Sequence, residues 1–447
     1  MVRNGPPTRL PASSYAAIRH SIACRTSAVL VAVGLISVAN SLQYGEFTLS
    51  GVLLVSVALP IMVWSLYAGL AEPSLSFVAA VIGVVLAANY APGLIPSYAE
   101  GQYPLLPLLS TLAASTIAML AQARWSRYIG LAGAVATTLL LYRDNTKWGH
   151  ATIDVFYVLQ GGTLALLHGH NPYIRWYQST TPHELHTHFP YGSAALLLAL
   201  PGRLIGDVRL SELAAMAIAI VATTLIARRN LPSHQAWWIL ALLLTVPFTV
   251  HMVAQAWVEV FGAAGVALWL LMRERHRRSA IFALGAGVSA SFLVLPLLVF
   301  AFVWHRQLRR DICAAVLVAV ALAIPFVYWT GLVPYVRDVF LVPLSLPWRP
   351  DAMNINALWG QVHGSPLPPE VMIGLPVTVF ACLVARGKSG VGTCVAMGAS
   401  VTLAALLVAK DAFFNYYFLV VFALILALAL GYGQPAAQAR RACSGVD

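Results

Sequence analysis

The sequence predicts an all-α fold, a polytopic transmembrane helical bundle of about 12–14 helices with two long external loops containing juxtamembrane helices. Three observations predict it. The 447 residues are 60% hydrophobic and only 10% charged, against roughly 25% charged residues in a soluble globular domain. Apolar runs of about 20 residues, enough to cross a hydrocarbon core of roughly 30 Å, recur along the chain with no polar domain between them. The net charge of +11 is divided among short basic clusters between those runs. It is not a basic patch interleaved with aromatics, which argues against nucleic acid and for topology signals.

The clusters order the elements. They are Arg3, Arg9, Arg19 and Arg25; Arg124 and Arg127; Arg228 and Arg229; Arg273, Arg275, Arg277 and Arg278; Arg306, Arg309 and Arg310; Arg386 and Lys388; Arg440 and Arg441. The positive-inside rule places all seven in the cytoplasm. Crossings at 27–44, 50–71, 75–94 and 104–123 return the chain to Arg124, and a fifth at 128–142 leads outward. Residues 143–210 then form an external loop, whose apolar stretch 192–205 is interfacial and not spanning. Crossings at 211–227, 235–250 and 255–272, a short pair within 279–304 and one at 312–330 lead to a second external loop, 331–366. Crossings at 367–385, 391–409 and 412–432 follow, and both termini are expected in the cytoplasm. With this assignment 19 of the 27 Lys and Arg face the cytoplasm.

The chain thus divides into N-terminal transmembrane helices with no assigned role (1–127), a transmembrane core with the two loops (128–435) and a cytoplasmic tail (436–447). Cys24, Cys313, Cys382, Cys394 and Cys443 all fall near cytoplasmic helix ends, so no external disulfide framework is expected. The basic N-terminus leads into a full-length apolar segment without a convincing cleavage site, which predicts a retained first helix. The composition fits a multi-pass protein of the bacterial inner (plasma) membrane, with its chemistry on the external face.

Polarity is concentrated at that face. The first loop holds four acids, five bases and six of the twelve histidines. The second carries Arg337, Asp338, Trp348, Arg349 and Asp351, and a third cluster comprises Lys410, Asp411, Asn415, Tyr416 and Tyr417. Single charged or aromatic residues at a membrane boundary are ordinarily anchors. Acids and bases gathered in loops of this length point instead to a site, because such loops are functional or disordered and these are too apolar for disorder.

The run DVFYVLQGGTLALLHGHNPY, Asp154 to Tyr173, followed by HFPYGSAALLLALP, His188 to Pro201, resembles the signature of GT-C class membrane glycosyltransferases. The likeness is to the bacterial, actinobacterial-type, family-87-like members that use polyprenyl-phosphate sugars. The acid entering the first external loop is Asp154, the Tyr-rich helix carries Tyr157, and the A-L-L-x-G-x-N-P-Y segment runs from Ala165 through Gly169, Asn171 and Pro172 to Tyr173. Phe189, Pro190 and Tyr191 vary the family's Y-P-P element, with Tyr191 replacing its second Pro. Gly206 to Arg209 (GDVR), PWRPDAMNINAL from Pro347 and FFNYYFLV from Phe413 add to the likeness, while the Lys of a later G-x-x-x-K-P-like segment is replaced near Ser291.

The resemblance implies a GT-C-like fold and an inverting transfer, of mannosyl or arabinofuranosyl type, from a polyprenyl-phosphate sugar to a cell-envelope glycan or glycolipid. The chemistry agrees with the geometry. Outside the cytoplasmic membrane a glycosyl donor must arrive on a lipid, and its transfer needs a base, cations for the phosphate and aromatic walls for sugar faces. Membrane lipid, the lipid-linked donor and the acceptor are the expected partners.

Asp154 is the candidate base, with an N-cap of the helix beginning near Val155 as its plain reading. Asp144 is the rival acid, with an ion pair to Arg143 as its plain reading. Arg175, Arg209, Arg337, Arg349 and Lys410 are the external cations available to the donor phosphate, of which about two suffice and the rest are anchors or ion-pair partners. Tyr157, His170, Asn171, Tyr173, His188, Glu259, Asn415 and Tyr416 are the candidate substrate-binding residues. Glu259 stands out as an acid inside an apolar helix, with pairing to another buried residue as the alternative.

His168, His170, His183, His186 and His188 lack the i, i+4 spacing of a zinc-binding helix, so no metal ligand is assigned and a divalent ion is only a minor alternative. No Walker loop, Rossmann fingerprint or nucleophile elbow is present, which disfavours ATP-driven transport. The competing reading is a transporter or flippase for a lipid-linked saccharide, although no inverted repeat is evident. A scaffold for other envelope enzymes is a third.

Overall fold

The computed structural model describes residues 28–37, 39–40, 47–68, 154–178, 186–231, 233–245, 252–345 and 347–432. The expected crossings at 75–94, 104–123 and 128–142, together with Asp144, His183 and the 436–447 tail, lie outside the described residues. In chain order the first helices are α1 (Ala28–Ser37), α2 (Leu49–Ala68), α3 (Asp154–Leu167), α4 (Ser193–Ile205), α5 (Arg209–Asn230), α6 (Ser233–Thr245), α7 (Glu259–Met272) and α8 (Arg277–Ala290). Two short pieces follow, α9 (Val294–Leu297) and α10 (Val299–Trp304), and then α11 (Arg306–Thr330), α12 (Leu332–Val336), α13 (Val342–Ser345), α14 (Ile355–His363), α15 (Pro369–Ala385), α16 (Val391–Val408) and α17 (Phe414–Ala429). The described residues also include a two-residue antiparallel ladder, Tyr177–Gln178 against His186–Thr187.

The helices α2, α5, α11 and α16 are each long and apolar enough to cross a membrane. Their surroundings differ in a way that reads as depth within the bundle. α17 is apolar on every side and buried at every residue except Tyr416, the pattern of a central helix. α11 turns Leu317, Val320, Ile324 and Tyr328 outward along one stripe, with Tyr328 92% exposed. Its opposite stripe, Leu308, Ile312, Ala315 and Ala319, is buried. An exposed apolar stripe on a spanning-length helix is what hydrocarbon solvates.

Close helix approach depends on small residues. A Cβ on Gly265 of α7 would lie 2.6 Å from the Ala283 carbonyl oxygen and 2.9 Å from the Gly287 Cα of α8, so the two backbones touch where neither carries a side chain. An ion pair fastens the same region: Arg277 Nε donates to Asp311 Oδ1 at 2.7 Å, and Trp269 Nε1 approaches Asp311 Oδ2 at 3.4 Å. One buried carboxylate thereby links α7, α8 and α11.

The loop expectations resolve into structure. The 192–205 stretch is the 13-residue α4, about 20 Å long and too short to span. It buries Ala194, Ala195, Leu196 and Ala199 and exposes Leu197, Leu204 and Ile205. The stretch 279–304, expected as two short passes, is α8 followed by extended backbone at Ser291 and the pieces α9 and α10. The second loop contains α12, a π-helical turn at Arg337–Leu341, α13 and α14.

The glycine contact predicts that Gly265→Leu lowers the melting temperature of the detergent-solubilised protein. The cost expected from overpacking is about 1–3 kcal/mol. Gly374→Leu is the control, because a Cβ there meets nothing within 4 Å; equal melting of the two variants would contradict the close crossing.

Candidate functional site

Three segments distant in sequence come within electrostatic reach of one another. Asp154 opens α3, and its carboxylate accepts the backbone N–H of Val155. Asp154 is thus the first residue of the helix, held by N–H groups of its own turn, and makes no N-cap bond to a residue two or three further on. Burial holds the Asp154 pKa above the ordinary carboxylate value, while the backbone N–H groups and the positive charge of Arg349 pull it back. Asp154 as a residue keeps partial exposure.

Arg349 comes from the second loop, and hydrogen bonds to the stretch before α17 put it there. The Arg349 backbone N–H donates to the Lys410 carbonyl at 3.0 Å and that of Met353 to the Ala412 carbonyl at 3.0 Å. The Asn354 and Asn356 amides both donate to the Ala409 carbonyl at 2.9 Å, and the Tyr417 hydroxyl donates to the Met353 carbonyl at 2.6 Å. Asn354 also caps α14 by accepting from the Ala357 N–H. The guanidinium donates through Nε to Asp351 at 2.8 Å and lies 4.9 Å from the Phe413 ring centre. The hydrogen bond it donates to Asp351 raises its pKa, and the charges of Asp154 and Asp411 add to that.

Asp411 and two tyrosines complete the lining. Burial raises the Asp411 pKa against the pull of Arg349, a hydrogen bond with Tyr416 and the charge of Lys410. Tyr191 is held well above the ordinary phenol value, first by burial and then by Asp154, Glu259, Tyr416 and Glu212. Its hydroxyl therefore remains a donor. Beneath these groups Glu259 is hydrogen-bonded to Asn415, and Glu212 of α5 lies close enough to feel its charge. Ala256, three residues before Glu259, has a φ of 56°, a strained value for a residue with a Cβ.

The predicted site residues divide sharply. Asp154, Arg349, Glu259, Asn415 and Tyr416 are brought together. Arg209 is elsewhere engaged, donating to Asp207 at 2.8 Å and lying 4.8 Å from the Phe156 ring centre. Arg337 donates to the adjacent Asp338 at 2.7 Å. Lys410 is exposed, and it is its carbonyl that serves Arg349. The Arg175 side chain points outward while its carbonyl meets His188 Nδ1 at 3.1 Å, and the His188 ring lies against Trp176.

Asn171 and Tyr173 hold the loop in shape. Asn171 Oδ1 accepts the Tyr173 N–H at 2.9 Å and its amide donates to Thr330 at 3.0 Å. Tyr173 is fully buried among Phe189, Phe326 and Tyr335, with its hydroxyl donating to the Tyr191 carbonyl at 3.0 Å. Tyr157 is half-buried against Phe156, and His168 and His170 are exposed. Among the described residues no three His, Cys, Asp or Glu side chains cluster as metal ligands.

No family model matches the chain, and neither a curated protein nor a solved structure does.

The raised Asp411 pKa has a consequence for stability. The folded chain keeps this proton to higher pH than the unfolded chain, so stability falls as pH rises above the ordinary carboxylate value. Asp411→Asn is expected to melt at nearly the wild-type temperature at about pH 4 and above it at about pH 7. A thermal series in detergent measures the difference, and a gap that closes toward neutral pH would contradict it.

Proposed function

We propose that the protein is an inverting glycosyltransferase of GT-C type. It moves a sugar from a polyprenyl-phosphate donor to a cell-envelope glycan or glycolipid at the external face of the bacterial inner membrane. The observation that carries the reading is a largely buried, partly exposed acid, Asp154, within electrostatic reach of one arginine, Arg349, and of the phenols of Tyr191 and Tyr416. The resemblance of the Asp154 segment to the family's acid-bearing loop supplies the reaction class.

The chemistry follows from the placement. The Asp154 carboxylate takes the proton of the acceptor hydroxyl, whose oxygen forms the new bond to the anomeric carbon. The bond from that carbon to the phosphate oxygen breaks on the opposite face, and the electron pair leaves with the polyprenyl phosphate. Arg349 sits where this charge gathers, and its planar fork retains N–H groups for phosphate beyond those given to Asp351. Raised basicity suits a carboxylate that must accept a proton near neutral pH. The hydroxyls of Tyr191 and Tyr416 suit sugar oxygens, and their rings suit sugar faces. On this reading the basic clusters and both termini are cytoplasmic.

The transporter or flippase reading retains one observation in its favour, the buried acids Glu212 and Glu259 within apolar helices. One preparation separates the two. Reconstituted protein supplied with synthetic polyprenyl-phosphate sugars and extracted acceptor is expected to form glycoside, and Asp154→Asn to lose about 10²–10⁴-fold in kcat. Movement of the donor between leaflets without glycoside formation would sink the transferase reading.

Arg349 supplies a second measurement. Its charge lowers the Asp154 pKa, and activity needs the ionised base, so Arg349→Ala is expected to move the acidic limb of the rate profile to higher pH. It should also raise the donor KM, while Asp338→Asn leaves both unchanged. An acidic limb unmoved in Arg349→Ala would detach Arg349 from Asp154.

A further inference from the structure

The end of the bundle remote from the first loop is basic, and contacts between segments define it. α11 runs from Arg306 to Thr330, about 36 Å of helix. Thr330 accepts from the Asn171 amide of the first loop, so Arg306 lies a membrane thickness away from that loop. Other segments gather at the Arg306 end. His305 Nε2 meets the Ser389 carbonyl of the α15–α16 turn at 2.9 Å, Arg277 of α8 donates to Asp311 of α11, and Arg229 of α5 donates to the Leu271 carbonyl of α7 at 2.8 Å. These segments carry the basic clusters from Arg228 to Lys388 against two acids, Glu274 and Asp311. Asp311 is buried and already paired.

One part of this end is ordered beyond what a topology signal needs. At the α10–α11 junction Arg309 Nε donates to the Phe302 carbonyl at 3.0 Å and Nη2 to the Val303 carbonyl at 3.1 Å, with the guanidinium 5.7 Å from the Phe302 ring centre. Two of its five N–H groups are so used, and the exposed side chain keeps the rest for an anion. Arg306, Arg310 and Lys388 are exposed, with no ion pair or side-chain hydrogen bond among the described residues. Hydrocarbon adjoins these charges. Phe302 and Val303 are part-exposed, and the Phe300 and Phe380 rings, 5.2 Å apart, seat α10 on α15. Arg310, Leu317 and Ile324 follow at seven-residue steps on one face of α11, so the basic rim opens directly onto the exposed apolar stripe.

A ligand for this surface must be amphipathic, anionic at the rim and hydrocarbon along α11. We propose that the α10–α11 junction and the α15–α16 turn together bind an anionic phospholipid. Its phosphodiester lies among Arg306, Arg309 and Lys388, and its acyl chains lie along Phe302 and the Leu317 stripe. Guanidinium groups suit phosphate oxygens, and basic recesses between spanning helices at a membrane surface suit anionic head groups. Nucleic acid would match the charge and leave the stripe bare, whereas a zwitterionic lipid would match the stripe and bring a cation to the rim. The bound lipid fastens α11 to the α15–α16 turn across the contact of His305 with Ser389. It takes no part in the transfer assigned to Asp154.

The test uses purified full-length protein in detergent, stripped of native lipid and titrated with phosphatidylglycerol or with phosphatidylcholine of the same acyl chains. Native mass spectrometry counts the bound lipid. Wild type is expected to bind phosphatidylglycerol saturably and about tenfold or more tightly than phosphatidylcholine. Arg306→Gln and the double variant Arg306→Gln with Lys388→Gln should lose about fivefold in affinity for each charge removed. Arg175→Gln, at an exposed arginine of the first loop, should lose none. Thermal melting guards against misfolding: without lipid the variants melt with wild type, and phosphatidylglycerol raises the wild-type melting temperature more than that of the double variant. Equal affinity for the two lipids, binding that does not saturate, or affinity unchanged in the double variant would each overturn the proposal. Displacement of the lipid by glycerol 1-phosphate at equal concentration would overturn it too, by making the ligand a soluble phosphate. None of these readings depends on glycosyl transfer, so they stand or fall apart from the proposed reaction.

Discussion

The docking of the second loop onto the stretch before α17 is the constraint on which the candidate site depends. Ala409, Lys410 and Ala412 offer carbonyls at the point where α16 has ended and α17 has not begun. Backbone groups there have no helical partner, and in a membrane protein they must find one within the chain. Asn354, Asn356, Arg349 and Met353 supply the donors. The same bonds that satisfy the backbone carry the Arg349 guanidinium to Asp154, from which it is separated by nearly two hundred residues of sequence.

Electrostatics then sorts the polar residues into settled and unsettled ones. Arg209, Arg337 and Arg349 each pair with an acid within two positions in the chain. The first two are thereby absorbed locally, whereas Arg349, placed by its backbone docking, is also within electrostatic reach of Asp154 and Asp411. Asp311 is likewise settled, by Arg277 and Trp269. Asp154, Asp411, Glu212 and Glu259 are the acids whose burial is not fully answered by the protein, and all four lie around Tyr191 and Tyr416. Desolvated charge gathered at one place is a functional signature and not a stabilising one.

Several features of the site were legible in the sequence for physical reasons. Asp154 stands out because a carboxylate entering a loop beside a membrane is a natural helix-start residue as well as a candidate base, and it is the residue that opens α3. Glu259 and Asn415 are visible as polar residues in apolar helices. Glu212 carries the same signal, immediately after Ser211 at the start of an apolar run, and the intramembrane-acid argument applies to it as fully as to Glu259. Asp411 was grouped with Tyr416 in the sequence, but its burial was not readable there. Asn171 and Tyr173 show the reverse: a motif that reads as substrate-binding is occupied in shaping the loop, because an Asn can accept a backbone N–H two residues on and fold a turn around itself.

Composition, hydrophobic run length and the scatter of basic clusters determined by themselves that this chain is helical and carries membrane-length apolar segments, since those properties depend on local sums of hydropathy and charge. The basic clusters also predicted, by charge counting, that the 192–205 segment is interfacial, and the structure makes it a 13-residue helix. Tertiary structure alone decided which arginine comes within electrostatic reach of Asp154, and that Asn354 and Asn356 serve a backbone carbonyl. Those outcomes turn on contacts between segments far apart in sequence, where packing geometry chooses among residues that hydropathy and local spacing leave equivalent.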